Sequence, residues 1–118
     1  MNTTADNSAK EAKQIAVEIL NQLGGNRFAR MTGSKDFVVM DCEKPYSVRM
    51  KLARNKTRAN YLAIFLEESD TYRMEFKNNQ FSTKTLELKI KEIETLENVY
   101  AEDLQKMFTA TTGLYTRL

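Results

Sequence analysis

Residues 60–77 of this chain read NYLAIFLEESDTYRMEFK, and they predict two β-strands joined by a tight turn. The first strand, Asn60–Glu67, is apolar at positions 61–66, which is typical of a strand that is covered on both faces. After the turn at 68–70, apolar side chains alternate with charged ones over 72–77, as in a strand with one buried face. Consecutive strands with short turns favour an antiparallel meander.

Two further strand candidates precede this pair near the start of the sheet. We predict short strands at Arg27–Met31 and Asp36–Asp41, separated by a turn at 32–34. The first candidate also suits a helical turn, because Phe28 and Met31 are three residues apart.

The segment after the central pair is ambiguous. A turn is predicted at Asn78-Asn79. In residues 84–94, apolar and charged side chains alternate as in a strand, but the apolar residues also fit a heptad that runs into a final helix. We choose the strand, because Glu97 interrupts the heptad and Asn98 is a suitable helix cap.

A helix is predicted at each end of the sheet region. Residues Asp6–Leu23 carry alanine, isoleucine and leucine at helical spacing, with Thr4 or Asp6 as cap and Gly24-Gly25 as stop. The second helix is predicted from Val99 to Thr112 and is ended by Gly113.

These elements predict the α+β fold class. We expect an N-terminal helix, an antiparallel meander sheet of five to six strands and a C-terminal helix, with both helices on one face of the sheet. The 118 residues suit one domain, 1–118, of which residues 1–5 are expected to be flexible.

Composition excludes several classes of site. The chain has no histidine, so Ser-His, Cys-His and histidine-zinc sites are excluded, and Cys42 is the single cysteine. No apolar run approaches the roughly 20 residues that span a bilayer, and the polar N-terminus lacks the features of a signal peptide. We therefore expect a cytoplasmic protein without membrane association, catalytic residues, bound metal or cofactor.

Charge is unevenly distributed along the chain. Residues 1–60 hold eleven Lys and Arg against six Asp and Glu, a net of +5, whereas residues 61–118 hold seven against ten, a net of −3. The densest basic stretch is 49–58, which has five cations and no acid. Such asymmetry points to an anionic partner for one surface, although it also suits attraction between the two halves.

Within this basic stretch, a strand is followed by a loop. Tyr46–Ala53 alternates, with Val48, Met50 and Leu52 on one parity and cations between them, so the strand presents positive charge on its open face. The predicted nucleic-acid-binding residues are Arg49 and Lys51 of the strand, Arg54, Lys56 and Arg58 of the loop, and Arg27, Arg30 and Lys35 of the first hairpin. Tyr46 and Tyr61 flank the cations and are predicted to stack on exposed bases. The alternative is a solvated strand face whose cations only discourage edge pairing.

Several motifs are spread over residues 20–116: Leu23-Gly24-Gly25-Asn26-Arg27-Phe28, Met31-Thr32-Gly33, Phe37-Val38, Tyr72 with Glu75-Phe76, Val99-Tyr100-Ala101-Glu102-Asp103-Leu104-Gln105 and Thr112-Gly113-Leu114-Tyr115-Thr116. Together they resemble a group of small uncharacterised proteins of bacteriophages and mobile elements. That group usually carries Leu-Pro-Arg-Asn after the basic strand, whereas this chain has Leu52-Ala53-Arg54-Asn55, which predicts a less rigid loop. The resemblance implies a phage or mobile-element origin, and hence the host bacterial cytoplasm, but no reaction.

Two functions from different classes follow. The first is a non-enzymatic accessory protein that binds nucleic acid through the basic strand and loop. The second is a protein–protein interaction module, such as an inhibitor of a host defence complex. The sequence leaves the oligomeric state and the choice between DNA and RNA open.

Overall fold

The computed structural model describes residues 3–42 and 44–116, with side chains described from Ala9 onward. Its helices and strands are α1 Thr3–Leu23, α2 Asn26–Thr32, β1 Lys35–Met40, β2 Ser47–Lys51, β3 Tyr61–Leu66, β4 Tyr72–Ser82, β5 Glu87–Val99 and α3 Leu104–Thr112, with a 3₁₀ turn at Ala101–Asp103 before α3. The described residues contain no helix that is both long and apolar enough to cross a membrane.

The five strands form one antiparallel sheet in the order β1-β2-β3-β4-β5, so each strand pairs with its neighbours in sequence. The chain is therefore α+β, with an N-terminal helix, an antiparallel meander and a C-terminal helix, as predicted. Strand β3 pairs on both sides and is the centre of the sheet.

One face of the sheet carries the hydrophobic core. Side chains from α1, α2 and α3 pack there against alternate residues of β2, β3 and β4; the fully buried ones include Ile19, Leu23, Phe28, Val48, Met50, Leu62, Ile64, Met74, Phe76, Leu104 and Phe108. The helices thus share one face, as expected, and we call the opposite face the open face.

Three aromatic rings join the helices to the sheet. The Phe108 ring of α3 meets the Phe28 ring of α2 edge-on, with centroids 4.9 Å apart, and lies 6.4 Å from the Phe76 ring of β4. All three residues are fully buried. Aromatic pairs in this geometry add stability beyond the area that they bury.

The strand predicted at Arg27–Met31 is wrong, because this segment forms the short helix α2. Its buried residues Phe28 and Thr32 lie one helical turn apart, and the Thr32 hydroxyl donates to the Phe28 carbonyl at 2.7 Å. Gly33 then ends the helix in the left-handed conformation, so 32–34 is a helix end and not a hairpin turn.

The turn predicted at Asn78-Asn79 is also wrong. Strand β4 continues to Ser82, and the connection to β5 is made by residues 83–86. Asn60 holds Asn79 in the strand, since its side chain accepts from the Asn79 amide at 2.7 Å and donates to the Asn79 carbonyl at 2.8 Å. The choice of a strand for 84–94 is confirmed from Glu87 onward.

The N-terminal and C-terminal helices both begin at residues other than the predicted ones. Val99 and Asn98 belong to β5, and Asn98 has a φ of 57° within the strand and does not cap α3. Helix α1 begins at Thr3, so the expected caps Thr4 and Asp6 lie inside it. Met1 and Asn2, within the segment expected to be flexible, lie outside the described residues.

Replacing Phe108 by Ala should destabilise the fold strongly. The change removes the ring that joins α2, α3 and β4, and a buried Phe→Ala change costs about 3–5 kcal/mol. Urea unfolding followed by circular dichroism measures this loss. Phe81→Ala is the matched control, because Phe81 is 61% exposed and its loss should change the free energy of unfolding by less than about 0.5 kcal/mol.

The free energy of unfolding should also decrease at alkaline pH because of Tyr72. Burial of this residue, followed by the charges of Glu18 and Asp70, raises the pKa of its phenol. The phenol therefore stays neutral in the folded protein at a pH where the unfolded chain already ionises, from about pH 10. The contribution of Tyr72 to the free energy of unfolding is accordingly complete below about pH 10 and is lost as the pH rises above it. Tyr72→Phe should reduce the loss of unfolding free energy between about pH 8 and about pH 11. Tyr115→Phe, at a position that is 70% exposed, is the matched control variant.

Candidate nucleic-acid interface

Strand β2 divides its side chains between the two faces of the sheet. Val48 and Met50 are buried in the core, so Arg49 and Lys51 lie on the open face, as expected from the alternation. Directly opposed residues of antiparallel strands share a face. Arg49 therefore lies beside Ala63 of β3, and Lys51 lies beside Tyr61.

A row of cations crosses the open face at the end of β2. The register pairs Lys35 with Lys51, Lys51 with Tyr61, and Tyr61 with Lys77. Four neighbouring strands thus bring three lysines and one half-buried tyrosine into line. Sequence reasoning missed Lys77, although its outward parity with Arg73 in the alternating strand was a usable signal.

Two of these lysines have acidic neighbours. Lys51 lies 3.4 Å from a carboxylate oxygen of Asp36, and Lys77 lies 3.3 Å from one of Glu75. The Lys51 pair is exposed on both sides, so it is worth at most about 1 kcal/mol and leaves the lysine free to meet another anion.

Part of the open face is covered by its own side chains. Arg73 stacks over the Phe65 ring at 4.2 Å and pairs with Glu67 and Glu75. These contacts explain why β3 is apolar on both parities although the helices pack on one face only. Arg49 differs from Arg73, because its Nε is buried without a hydrogen-bond partner among the described residues.

The side chain of Asn55 stabilises the loop of residues 52–60 through hydrogen bonds, and we call this loop the basic loop. Its amide nitrogen donates to the carbonyls of Ala53 and Ala59 at 2.8 and 2.6 Å. Its carbonyl oxygen accepts from the backbone amide and the hydroxyl of Thr57 at 3.1 and 2.7 Å. One asparagine therefore ties together the two ends and the tip of the loop.

Three neighbouring elements support the basic loop. The Lys56 amide donates to the Thr112 carbonyl at 3.2 Å, at the C-terminal end of α3. Asn78 of β4 donates to the Arg58 carbonyl. On the side of α2, a Cβ on Gly33 would lie only 2.9 Å from the Cβ of Ala53, so this close approach requires glycine.

The three loop cations are exposed, and none of them forms an ion pair with another described residue. Among the described residues, ion pairs involve Lys44, Lys51, Arg73 and Lys77, and none involves Arg54, Lys56 or Arg58. These three side chains line one shallow surface cleft together with Asn78. Lys56 also has a structural part, because a Cβ on Gly113 would lie 3.2 Å from its Cδ, so its stem packs over the end of α3.

Arg27 and Arg30 do not lie in a hairpin, as predicted, but on α2, which packs on the core face of the sheet and not on the open face. Arg27 and Arg30 are exposed on α2, one turn apart, and Arg30 lies in the last turn before Gly33, which contacts Ala53. The stacking role predicted for Tyr46 is wrong, because only 6% of this residue is exposed. Tyr61 is the tyrosine that lies in the cation row.

The described residues contain no group of three or more aspartate, glutamate or cysteine side chains arranged to hold a metal ion. Cys42 is exposed in the connection between β1 and β2. The chain matches no protein-family model, no curated protein and no solved structure. The resemblance to phage and mobile-element proteins accordingly stays a prediction.

Replacing Asn55 by Ala should loosen the basic loop. The change leaves backbone groups of 53, 57 and 59 without their partner, which costs about 1–3 kcal/mol of unfolding free energy. Amide hydrogen exchange should accelerate at Thr57 and neighbouring residues more than in β3. Asn21→Ala, at an exposed position of α1, is the control and should leave exchange in the loop unchanged.

Proposed function

We propose that this protein is a non-enzymatic nucleic-acid-binding protein, with the basic loop and the cation row of the open face as its binding surface. The observation that carries the proposal is the convergence of six cations on one end of the sheet, five of them exposed and Lys77 partly buried. Arg54, Lys56 and Arg58 lie in a loop whose backbone is fixed by hydrogen bonds, and Lys35, Lys51 and Lys77 lie in the strands beside it.

The electrostatics favour a polyanion over a single small anion. Cations spread over several strands and a loop match the repeating charges of a phosphate backbone, whose counterions are released on binding. Five to eight such contacts would give non-specific dissociation constants of about 10⁻⁴ to 10⁻⁶ M at physiological salt. Tyr61 adds an aromatic surface between Lys51 and Lys77, which suits stacking of an unpaired base.

Removing the three loop charges should weaken binding and flatten its salt dependence. We expect the variant Arg54→Gln, Lys56→Gln, Arg58→Gln to lower the slope of log K against log salt by about 3, since each phosphate contact contributes about 1. Glutamine keeps the Cβ and Cγ methylenes of each stem, and the Cγ of Lys56 is one of the atoms that packs near Gly113. Fluorescence anisotropy with single- and double-stranded DNA and RNA, at about 50 and about 200 mM salt, measures the effect.

A charge-matched control variant distinguishes a localised binding surface from a general effect of the net charge of the protein. The variant Lys84→Gln, Lys89→Gln, Lys91→Gln removes three exposed lysines from the β4–β5 hairpin and changes the total charge equally. It should bind nearly as well as the unaltered protein. Equal weakening by both variants, or no binding of any nucleic acid at about 50 mM salt, contradicts the proposal.

An apolar hairpin favours a second candidate, the protein–protein interaction module. Beyond Asn79, strands β4 and β5 have no third strand beside them in the described residues, and we call this projecting part the arm. Phe81 lies opposite Leu88, with Ile90 two residues along the same face, and all three are more than half exposed. Clusters of this kind mark interaction sites.

Affinity capture from host lysate tests this candidate. Unaltered protein should retain a partner that Phe81→Ser, Ile90→Ser does not retain, while the Gln triple variant of the basic loop still does. A partner lost with the loop variant but kept by the arm variant would assign the interaction to the basic loop.

A further inference from the structure

The cations of the proposed binding surface lie on two different sides of the sheet. Side chains alternate between the faces along β4, so Lys77 points to the open face and Asn78 to the face that the helices cover. Lys77 belongs to the cation row, whereas Asn78 lines the cleft of the basic loop together with Arg54, Lys56 and Arg58. The row and the cleft therefore meet at one end of the sheet from opposite sides.

The helices hold the basic loop on the covered side. The Lys56 amide donates to the Thr112 carbonyl at 3.2 Å, at the end of α3. Leu52 and Ala59, near the two ends of the loop, are buried in the core. A ligand that contacts both the basic loop and the cation row must consequently bend around the end of the sheet.

This bend favours a single strand over a duplex. Double-stranded DNA has a persistence length of about 50 nm. The largest dimension of the described chain is 44 Å, so a duplex stays nearly straight beside the protein and meets only one side of it. A single strand is flexible enough to contact both sides.

Tyr61 lies where a bent strand would reach the open face. It is the first residue of β3, directly after the basic loop, and it lies between Lys51 and Lys77 in the row. Glu92 of β5 lies beside Lys77 and ends the row. An aromatic ring can stack on an unpaired base, whereas the bases of a duplex already stack on one another. A ring between two cations thus matches one base and the phosphates on either side of it.

We propose that the ligand of this surface is single-stranded nucleic acid, which bends around the end of the sheet and stacks a base on Tyr61. The inference rests on the proposed function and names the ligand class of that same surface. Phosphates on one side of the stacked base contact the basic loop, and those on the other side contact the cation row. Single-stranded DNA and RNA share this chemistry, so both serve as probes.

A comparison of single and double strands tests the ligand class. The probes are oligothymidylate and oligouridylate of about 20 nucleotides, which exceeds the site of one small binding domain, and the duplex of the same oligothymidylate with oligodeoxyadenylate. By fluorescence anisotropy, at least one single strand should bind about 5- to 150-fold more tightly than the duplex, the range that one stacked base contributes. A duplex that binds as tightly as both single strands overturns the inference and leaves the proposed function standing. No binding of any probe contradicts the proposed function itself.

Substitution of Tyr61 tests the stacking. Tyr61→Leu should weaken single-strand binding about 5- to 150-fold and leave its salt dependence unchanged, because the change removes a ring and no charge. Tyr61→Phe should keep the affinity of the unaltered protein. Tyr100→Leu is the matched control, since Tyr100 is 59% exposed and follows β5 at the opposite end of the sheet. Unchanged affinity in Tyr61→Leu overturns the inference.

A fluorescent reporter gives a second reading of the same contact. The chain has no tryptophan, so Tyr61→Trp introduces a single one. Oligothymidylate should quench its emission by stacking and should leave the emission of Tyr100→Trp unchanged. Equal responses of the two variants overturn the inference.

Removal of charge from each side tests the bend. The variant Arg54→Gln, Lys56→Gln, Arg58→Gln and the variant Lys35→Gln, Lys51→Gln should both lower the slope of log K against log salt for oligothymidylate, because both groups release counterions. A slope that only one of the two variants lowers overturns the two-sided contact.

Discussion

The rest of the structure depends on the burial of the Phe108 ring between α2 and the sheet. Phe108 contacts Phe28 edge-on and lies near Phe76, so one side chain holds a short helix, the C-terminal helix and a central strand together. A seven-residue helix such as α2 is too short to be stable by itself. The aromatic contact keeps α2 in place, and the position of α2 then determines where Gly33 meets the basic loop.

The candidate binding surface follows from the same packing. Because all three helices cover one face, the cations of β2 are left on the other face, and the basic loop extends from the end of that strand. The C-terminal end of α3 accepts a hydrogen bond from Lys56 and packs against its stem. The partial negative charge at a helix C-terminus favours a nearby cation. Core and surface are therefore connected through α3, and a change at Phe108 would also disturb the loop.

Periodicity predicted the parts of this molecule that depend on local pattern. The alternation around Arg49 and Lys51 gave their face correctly, and the apolar positions of α1 gave the helix and its end at Gly24-Gly25. At α2 a strand was preferred to the alternative helical turn, because seven residues show too little periodicity and the deciding contact comes from Phe108, 80 positions after Phe28. The Asn78-Asn79 pair has the composition of a turn, but hydrogen bonds from Asn60 hold Asn79 in a strand. The alignment of Lys77 with Lys51 depends on strand register, which composition does not encode.

The meander has a consequence for the order in which the molecule assembles. Every strand pairs with a strand next to it in sequence, so the whole sheet consists of hairpins that close short loops. The contact between the first and last helices is different, since the Gln105 side chain donates to the Gln22 carbonyl at 3.0 Å across 83 positions. Closing such a long loop costs only slightly more entropy than closing a shorter one. The sheet can therefore form from local pairings, and the contact between α1 and α3 then completes the core on its covered face.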